Sequence, residues 1–308
     1  MGRLVAGVVA LLVVATIVGL VLKGRARGDA ARATVDNLNA RIRAWWVMVA
    51  VFGVAVATGG IGSVILFAVM SFLAMREFMT LAPTGQTDHA ALFWAFFVFA
   101  PIQYVLVGVQ WYGLFAILIP VYAFIAIPTR MAIAGDTTRF LERTSTVQWG
   151  IMACVYCISY APALLMLEVP GYHGTGATLL FFFVLVVQLN DVMQYIWGKL
   201  LGKHHIAPKV SPNKTWEGFI GGTLTATAVG TLLWWATPFS PVAAALMSLL
   251  ITLAGFAGGL VMSAVKRDRG VKDYGTLIEG HGGVLDRVDS LLFAAPLFFH
   301  LTRFFYVP

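Results

Sequence analysis

Residues 263–290 read SAVKRDRGVKDYGTLIEGHGGVLDRVDS, and this segment holds five basic and five acidic side chains. Long apolar runs lie on both sides of it, at 241–262 and at 291–306. A helix crosses a hydrocarbon core about 30 Å thick with roughly 20 apolar residues, so runs of this kind are typical of membrane spans. The pattern predicts two membrane helices joined by a charged segment outside the bilayer.

The composition of the whole chain agrees with membrane helices. Of 308 residues, 59% are hydrophobic and 11% are charged, and the mean hydropathy is +0.85, which is far from the globular average. We therefore predict an all-α, polytopic integral membrane protein with no room for a large soluble domain. Cys154 and Cys157 lie inside one apolar run, which favours packing contacts over a disulfide or a metal pair.

The hydropathy pattern predicts ten transmembrane helices, with both termini outside. Gly59 and Gly60 separate the short second and third runs, so a count of nine stays open if one of these runs is re-entrant. The predicted spans are 4–22, 45–59, 61–79, 90–109, 111–128, 149–168, 176–198, 218–236, 241–262 and 291–306.

The distribution of Lys and Arg supports an even number of spans. With ten spans, 19 of the 21 basic residues fall on one side, and only Arg3 and Arg303 fall on the other. Cytoplasmic loops collect Lys and Arg, so the basic side is predicted to be cytoplasmic. The net charge of +7 then reflects topology and anionic lipid headgroups, and it requires no nucleic acid.

The same pattern divides the chain into two regions. Residues 1–148 are predicted to form an N-terminal transmembrane region of about five helices. Its basic cytoplasmic segment, 23–43, fits either a surface helix or a solvated linker. Residues 149–308 are predicted to form the catalytic transmembrane region, with cytoplasmic loops at 199–217 and 263–290.

The charged stretch 263–290 contains what phosphoryl chemistry requires. Asp273, Asp286 and Asp289 supply hard oxygen ligands, and the last two share one face of a helix because they are three residues apart. Glycines at 275, 280, 282 and 283 allow backbone amides to approach an anion. Donors for phosphate oxygens come from Lys266, Arg267, Lys272 and Arg287. Carboxylates, cations and a glycine turn together favour transfer between phosphates over a solvated loop.

The order of these residues resembles the signature of the phosphatidate cytidylyltransferase, or CDP-diacylglycerol synthase, family. The matching pattern is Ser263-x-x-Lys266-Arg267-x4-Lys272-Asp273-x-Gly275 followed by His281-Gly282-Gly283-x-x-Asp286-Arg287-x-Asp289. A second stretch, SPNKTWEGFIGG at 211–222, is similar to the family's S-P-x-K-T-x-E-G element. The resemblance is strong over about residues 186–303, whereas the N-terminal half is similar mainly in hydropathy.

The resemblance implies a CTP-dependent nucleotidyltransferase of phospholipid biosynthesis. Such an enzyme transfers the cytidylyl group of CTP to phosphatidic acid, giving CDP-diacylglycerol and pyrophosphate. The expected cofactor is Mg²⁺, bound as one ion or as two. The expected partners are CTP, phosphatidic acid or a similar lipid phosphate, and membrane lipids; a homodimer stays open. The expected location is the cytoplasmic membrane of a bacterium, with the active site on the cytoplasmic side.

Charge type then assigns the candidate roles. Metal ligands are expected at Asp286, Asp289, Asp273 and Asp191. Catalytic contacts to phosphate are expected from Lys214, Lys266, Arg267, Lys272, His281 and Arg287. Substrate contacts are expected from Ser211, Thr215, Glu217, Ser263, Gly282 and Gly283. The serine and threonine hydroxyls fit helix capping equally well, and Glu217 fits either a ligand or a partner of Lys214.

Two departures from the family pattern bear on specificity and on the metal. The family often has an Asp-Ser-Gly-Ala-Tyr-like string where this chain has Asp191 and Tyr195 with VMQ between them, which leaves the lipid acceptor open. Many relatives carry an acid four positions before the signature serine, where this chain has Gly259. One metal ligand is therefore expected to be missing.

Two other functions are alternatives to this one. A cytidylyltransferase or phosphotransferase acting on a polyprenyl or ether-lipid phosphate would use the same charged residues. A transporter with intramembrane charges is expected to show internal repeats, and the charges here are instead concentrated in two C-terminal segments. Arg76 and Glu77, at the end of the third span, are expected to anchor that span at the interface or to pair with each other, with contact to a lipid phosphate as the alternative.

Overall fold

Long apolar segments become long helices in the structure, a computed structural model that describes residues 2–25, 28–277 and 282–307. Among these residues, seven helices precede the two β-strands. They are α1 Gly2–Arg25, α2 Asp29–Ala57, α3 Gly59–Thr80, α4 Gln86–Gly108, α5 Tyr112–Ile133, α6 Phe140–Met166 and α7 Gly176–Leu201.

A short hairpin separates these helices from the C-terminal ones. Strand β1, His205–Ala207, pairs antiparallel with β2, Ser211–Thr215, with His205 opposite Thr215 and Ala207 opposite Ser211. The remaining helices are α8 Trp216–Leu232, α9 Pro241–Asp268, the single turn α10 Leu285–Val288, and α11 Leu291–Tyr306.

The prediction of an all-α polytopic membrane protein is confirmed. In the described residues, eight helices are long and apolar enough to cross a bilayer, namely α1 to α7 and α9. The other two predicted spans correspond to α8, with 17 residues, and α11, with 16. Both α2 and α3 are long enough to cross, and Gly59, with φ of 84°, makes the turn between them.

Three predicted boundaries are corrected by the structure. The segment 263–290 is not all loop, because α9 continues to Asp268 and so carries Ser263, Lys266 and Arg267 on a helix. Basic residues in the last turn of a helix interact favourably with its dipole, and the first helix-breaking glycine is Gly270. The segment 199–217 is ordered as the end of α7, the hairpin and the start of α8. The described part of the basic segment 23–43 lies on the end of α1 and, from Asp29, on α2, so it is helical and not a solvated linker.

The core lies where α6 packs against α3, α4, α5 and α11. Its largest fully buried side chains include Tyr160, Phe115 and Phe299, and Tyr160 lies edge-on to the other two at centroid distances of 4.8 and 5.1 Å. Such aromatic pairs gain about 0.5–1.5 kcal/mol beyond the area that they bury. Helix α6 begins at Phe140 and therefore runs through the predicted division at residue 148.

Glycines allow α7 and α8 to pack closely beside the hairpin. A Cβ atom at Gly222 would lie 2.7 Å from the backbone nitrogen of Gln194, and one at Gly218 would lie 2.7 Å from the carbonyl oxygen of Gln194. Small residues of this kind let helix backbones approach each other within a membrane. The close contact holds the start of α8, and the strand before it, against the end of α7.

Candidate functional site

Three charged residues from distant parts of the chain form the centre of the site. Asp191 lies on α7, Lys214 on β2, and Asp289 directly after α10. The charges of Lys214 and Asp289 are close enough to act on the carboxylate of Asp191, as is that of Arg287. The ammonium of Lys214 also lies 4.7 Å from the ring centre of Phe256 on α9, a favourable distance for a cation over an aromatic face.

Burial governs the electrostatics of this centre. Burial lowers the pKa of Lys214, and the carboxylates of Asp191 and Asp289 oppose that shift. Burial likewise raises the pKa of Asp289, against the opposing charges of Lys266, Lys214 and Arg287. Low-dielectric surroundings disfavour each charged form, so these groups gain from an ion or an ionic substrate that neutralises them.

Asp286 has a different environment from Asp289. Its Oδ1 accepts a hydrogen bond from Lys266 Nζ at 2.8 Å, and the two side chains are 2% and 11% exposed. Its Oδ2 accepts from the backbone N–H groups of Tyr274 at 2.8 Å and Gly283 at 3.0 Å. Asp286 therefore closes the connection between α9 and α10, and its oxygens are already hydrogen-bonded within the protein.

Arg267 and Ser263 also make contacts within the protein. Arg267 is exposed, and its guanidinium donates to the carbonyl oxygens of Val210 at 3.1 Å and Val271 at 3.0 Å, which ties α9 to the hairpin. The Ser263 hydroxyl donates back to the Gly259 carbonyl oxygen at 2.7 Å. The phosphate contacts predicted for Arg267 and Ser263 stay predictions.

Three further candidate residues of segment 211–222 have different contacts. The Thr215 hydroxyl accepts from Gly218 N at 3.2 Å and caps α8, which is the capping alternative. Glu217 pairs with His204 rather than with Lys214, and it also accepts from the backbone nitrogens of Lys203 and His204. Ser211 is partly buried at the start of β2.

The rest of the predicted set lies around the glycine turn. Asp273 and Lys272 are exposed, and a Cβ atom at Gly282, where φ is 80°, would lie 3.3 Å from Asp273 Cβ. Arg287 is partly buried, and its Nε is a buried donor with no hydrogen-bond partner among the described residues. His281 and Gly280 lie outside the described residues, so the prediction for His281 stays a prediction.

Gly259 faces the centre of the site, as its place four residues before Ser263 suggests. A Cβ atom at this position would lie 3.2 Å from Lys214 Nζ. A longer acidic side chain here would therefore reach the Lys214 ammonium. In this chain the position contributes no carboxylate.

The carboxylates suit a metal with few protein ligands. Within the ranges 2–25, 28–277 and 282–307, no group of three or more His, Cys, Asp or Glu side chains is arranged to hold a metal ion. The charge of Asp289 acts on the carboxylate of Asp191, and Mg²⁺ often binds through one or two carboxylates together with substrate phosphates. The donor set thus fits Mg²⁺ bound jointly with a phosphorylated substrate.

Glu77 is the residue of this region that sequence reasoning did not place at the site. Its carboxylate oxygens accept hydrogen bonds from the backbone N–H groups of Val284 and Leu285, at 2.9 and 2.8 Å. The sequence feature that could have indicated a role for Glu77 is the presence of an ionisable residue near the end of a membrane span. The partner could not be read from the sequence, because it lies 207 residues further along the chain.

Comparisons with known proteins identify the family of this chain. The family model described as the cytidylyltransferase family matches residues 39–305, which extends the resemblance well beyond 186–303. The chain is 41% identical over 268 residues to the uncharacterized protein YnbB of Escherichia coli (strain K12), covering 86% of this chain and 87% of YnbB.

Two further relatives have a named activity. The chain is 32% identical over 249 residues to a phosphatidate cytidylyltransferase of Bacillus subtilis (strain 168), covering 79% of this chain and 86% of the relative. It is 38% identical over 168 residues to one of Mycobacterium leprae (strain TN), covering 53% and 51%. Since the family match spans most of the chain and includes every described residue of the site, this protein belongs to the cytidylyltransferase family.

Proposed function

We propose that the protein transfers a cytidylyl group from CTP to phosphatidic acid, giving CDP-diacylglycerol and pyrophosphate. The observation that carries this proposal is the convergence of Asp191, Lys214 and Asp289, together with Arg287, from three distant segments. Relatives named phosphatidate cytidylyltransferase, one of them aligned over 79% of this chain, support the choice of substrate.

The proposed reaction is an in-line displacement at phosphorus. An oxygen of the lipid phosphate forms a bond to the α-phosphorus of CTP, and the bond from that phosphorus to the departing pyrophosphate oxygen breaks. Lys214 and Arg287 neutralise charge on the phosphate oxygens, and the buried Nε of Arg287 is a donor suited to one of them. Fixed charges in a partly buried site need little reorganisation during reaction, which is the main electrostatic source of catalysis.

The cofactor in this proposal is Mg²⁺ held by Asp191 and Asp289. When bound, the metal would supply Lewis-acid stabilisation of charge on phosphate oxygens. Asp273, exposed beside the glycine turn, is a further candidate ligand on the substrate side. Asp286 is better suited to hold the turn, since it is already bonded to Lys266 and to two backbone amides.

A site with two carboxylates predicts joint binding of metal and nucleotide. Without an acid at position 259, the metal has few protein oxygens, so the triphosphate must complete its coordination shell. We expect weak Mg²⁺ binding alone and at least tenfold tighter binding with a non-reactive CTP analogue. Because coupling is reciprocal, Mg²⁺ should tighten the analogue by the same factor. Calorimetry in detergent measures both, and equal Mg²⁺ affinity in the two conditions would contradict the shared site.

The proposed location is the cytoplasmic membrane of a bacterium, with the site facing the cytoplasm. Support comes from the basic residues, 19 of 21 of which lie on the side that carries the site if ten spans alternate. A lipid phosphate lies at the headgroup plane, and CTP is a cytoplasmic substrate. The charged residues at the ends of α7 and α9 would then meet both substrates at one membrane surface.

A panel of lipid phosphates tests the acceptor. Purified protein is incubated with radiolabelled CTP, Mg²⁺ and one of phosphatidic acid, an ether-lipid phosphate or a polyprenyl phosphate, and the label in the lipid phase is measured. We expect the highest kcat/KM with phosphatidic acid, and Asp289→Asn as a matched inactive control. Labelling of polyprenyl or ether-lipid phosphate in preference to phosphatidic acid would replace the acceptor, and no labelling of any lipid would contradict the proposed function.

A further inference from the structure

The carboxylate of Glu77 is enclosed by the glycine turn that precedes α10. Glu77 lies in the last turns of α3, and its two oxygens accept from the first backbone amides around α10, Val284 N and Leu285 N. A Cβ atom at Gly275 would lie 2.7 Å from Glu77 Oε1, and one at Gly283 would also collide with this carboxylate. The turn has room for the Glu77 side chain only because both positions are glycine.

The glycine at 283 is required for space and not for backbone conformation. Gly282 has a positive φ of 80°, whereas Gly283 and Gly275 are not among the glycines with positive φ. An alanine at 283 would therefore meet no backbone strain of its own. Its cost would come from the contact with Glu77, and this makes the contact testable by substitution.

The same short turn carries the charged residues of the site. Gly283 N donates to Asp286 Oδ2, while the next two amides donate to Glu77. Two carboxylates thus fix three successive N–H groups at the start of α10. The direction in which Arg287 and Asp289 leave this turn depends on where α10 begins, and one of the two anchors that fix its start comes from α3.

We infer that Glu77 is a positioning residue for the transfer reaction, acting through the turn 282–285 on Arg287 and Asp289. The inference rests on the function proposed above for this site. Glu77 is not a catalytic residue in this scheme, since its oxygens are bonded to backbone amides and face no reacting atom. A purely structural tether is the alternative, in which loss of Glu77 would reduce the folded fraction and leave the folded enzyme unchanged.

The first test uses Glu77→Gln, which keeps the shape of the side chain. One carboxylate oxygen becomes an NH₂ group that cannot accept from a backbone N–H. We expect kcat per folded molecule to fall on the order of 10²-fold, the size of effect that a displacement of about 1 Å produces. The KM for CTP should change by a smaller factor than kcat, because a displaced Arg287 and Asp289 still attract the phosphates and the metal, whereas their alignment in the transition state is lost. The matched control is Glu142→Gln, which removes an exposed pair with Arg139 and should keep wild-type kcat.

Hydrogen–deuterium exchange gives a second readout that does not depend on turnover. In Glu77→Gln, the peptide containing Val284 and Leu285 should exchange at least about tenfold faster, while peptides from α6 should not change. Unchanged exchange at 284 and 285, or wild-type kcat in Glu77→Gln, would overturn the inference. Loss of activity in proportion to the folded fraction alone, measured by size-exclusion chromatography, would also overturn it.

A double-mutant cycle with Gly283→Ala isolates the contact itself. Alone, Gly283→Ala should reduce kcat by about tenfold or more, because its Cβ meets the Glu77 carboxylate. In a Glu77→Ala background the same change should cost less than about threefold, since the obstructing carboxylate is gone. Additive effects would show that residue 283 does not act through Glu77. The exchange measurement needs no substrate, so a wild-type protein without any transferase activity would contradict the proposed function alone, whereas unchanged exchange contradicts this inference.

Discussion

Two aspartates only three residues apart, Asp286 and Asp289, occupy different environments and so should respond differently to substitution. Asp286 is almost fully buried and ion-paired with Lys266, and removing one partner of a buried pair costs about 3–5 kcal/mol. The pKa of Asp289 is raised by burial, so its ionised form costs folding free energy at neutral pH. Sequence spacing alone assigns both to the metal, because it does not report hydrogen-bond partners.

We predict that replacing aspartate by asparagine has different effects on stability at positions 289 and 286. Asp289→Asn should abolish turnover while its thermal unfolding midpoint in detergent stays at or above that of the wild type. Asp286→Asn should abolish turnover and lower the midpoint, because it leaves the Lys266 ammonium buried without its anion. A midpoint that falls equally in both variants would remove the distinction between a ligand and a structural partner.

Among the structural elements, α7 and α8 show how close packing holds the site. The backbone of Gln194 on α7 lies against Gly218 and Gly222 on α8, and Lys214 enters the site directly before α8 begins. Gln194 belongs to the VMQ string, residues 192–194, which stands where many family members have small residues. This departure from the family pattern therefore lies at the contact between α7 and α8. Val192 is 40% exposed on the helix surface, so that position faces the surroundings of the protein and not the charged centre.

We predict that Gly222→Ala destabilises the protein by about 1–3 kcal/mol, the usual cost of overpacking. The obstructing atoms are the side-chain Cγ of Gln194 and, at 2.7 Å, its backbone nitrogen, and the backbone cannot rotate away as a side chain can. Gly53→Ala on α2 is the matched control, since nothing lies within 4 Å of its added Cβ; alanine there should leave the thermal midpoint unchanged or slightly higher. Equal midpoints for the two variants would contradict the close helix contact.

A second network joins the first turn of α4, the loop before α6 and the first turn of α6. Asp88 is fully buried and lies 3.2 Å from Arg143 Nε, and Arg143 also contacts Asp136. Hydrogen bonds from Thr138 and Arg143 lower the pKa of Asp136 to about 2.

We predict that Arg143→Met lowers the thermal midpoint more than Arg139→Met does. The first change leaves Asp88 buried without its cation, whereas Arg139 and Glu142 form an exposed pair worth about 0–1 kcal/mol. Thermal unfolding in detergent compares the two variants at equal loss of charge. Equal midpoints would show that Asp88 does not depend on Arg143.

Across the whole molecule, charge placement and hydropathy were sufficient to predict the fold class and most of the spans. Helix periodicity and charge could not show that α9 extends to Asp268, or that Arg267 bonds to Val210 and Val271. The sequence motifs placed Lys214, Asp191 and Asp289 in one hypothesis, and in the structure the charges of Lys214 and Asp289 act on Asp191. They missed Glu77, because a contact over 207 residues leaves no periodic signal in a single sequence.

The alternation of membrane spans predicts the sides on which two exposed residues lie. His173, between α6 and α7, and Lys209, in the turn of the hairpin, are both exposed and should lie on opposite sides of the membrane. We expect an impermeant maleimide to label His173→Cys in intact cells and Lys209→Cys only after permeabilisation. Labelling of both in intact cells would contradict the alternation of spans, and the reverse pattern would invert the proposed orientation.

The contact between Glu77 and α10 also sets an order of events during biosynthesis. At about 5–20 residues per second, the ribosome needs about 10 to 40 s to make the 207 residues between Glu77 and Val284. During that interval α3 already carries a carboxylate whose eventual partners do not yet exist. The nascent chain must keep this charge hydrated or neutralised at the membrane surface until the residues of α10 have been made. The catalytic turn is therefore completed only at the end of synthesis, and a chain that terminates before residue 284 leaves the ribosome without it.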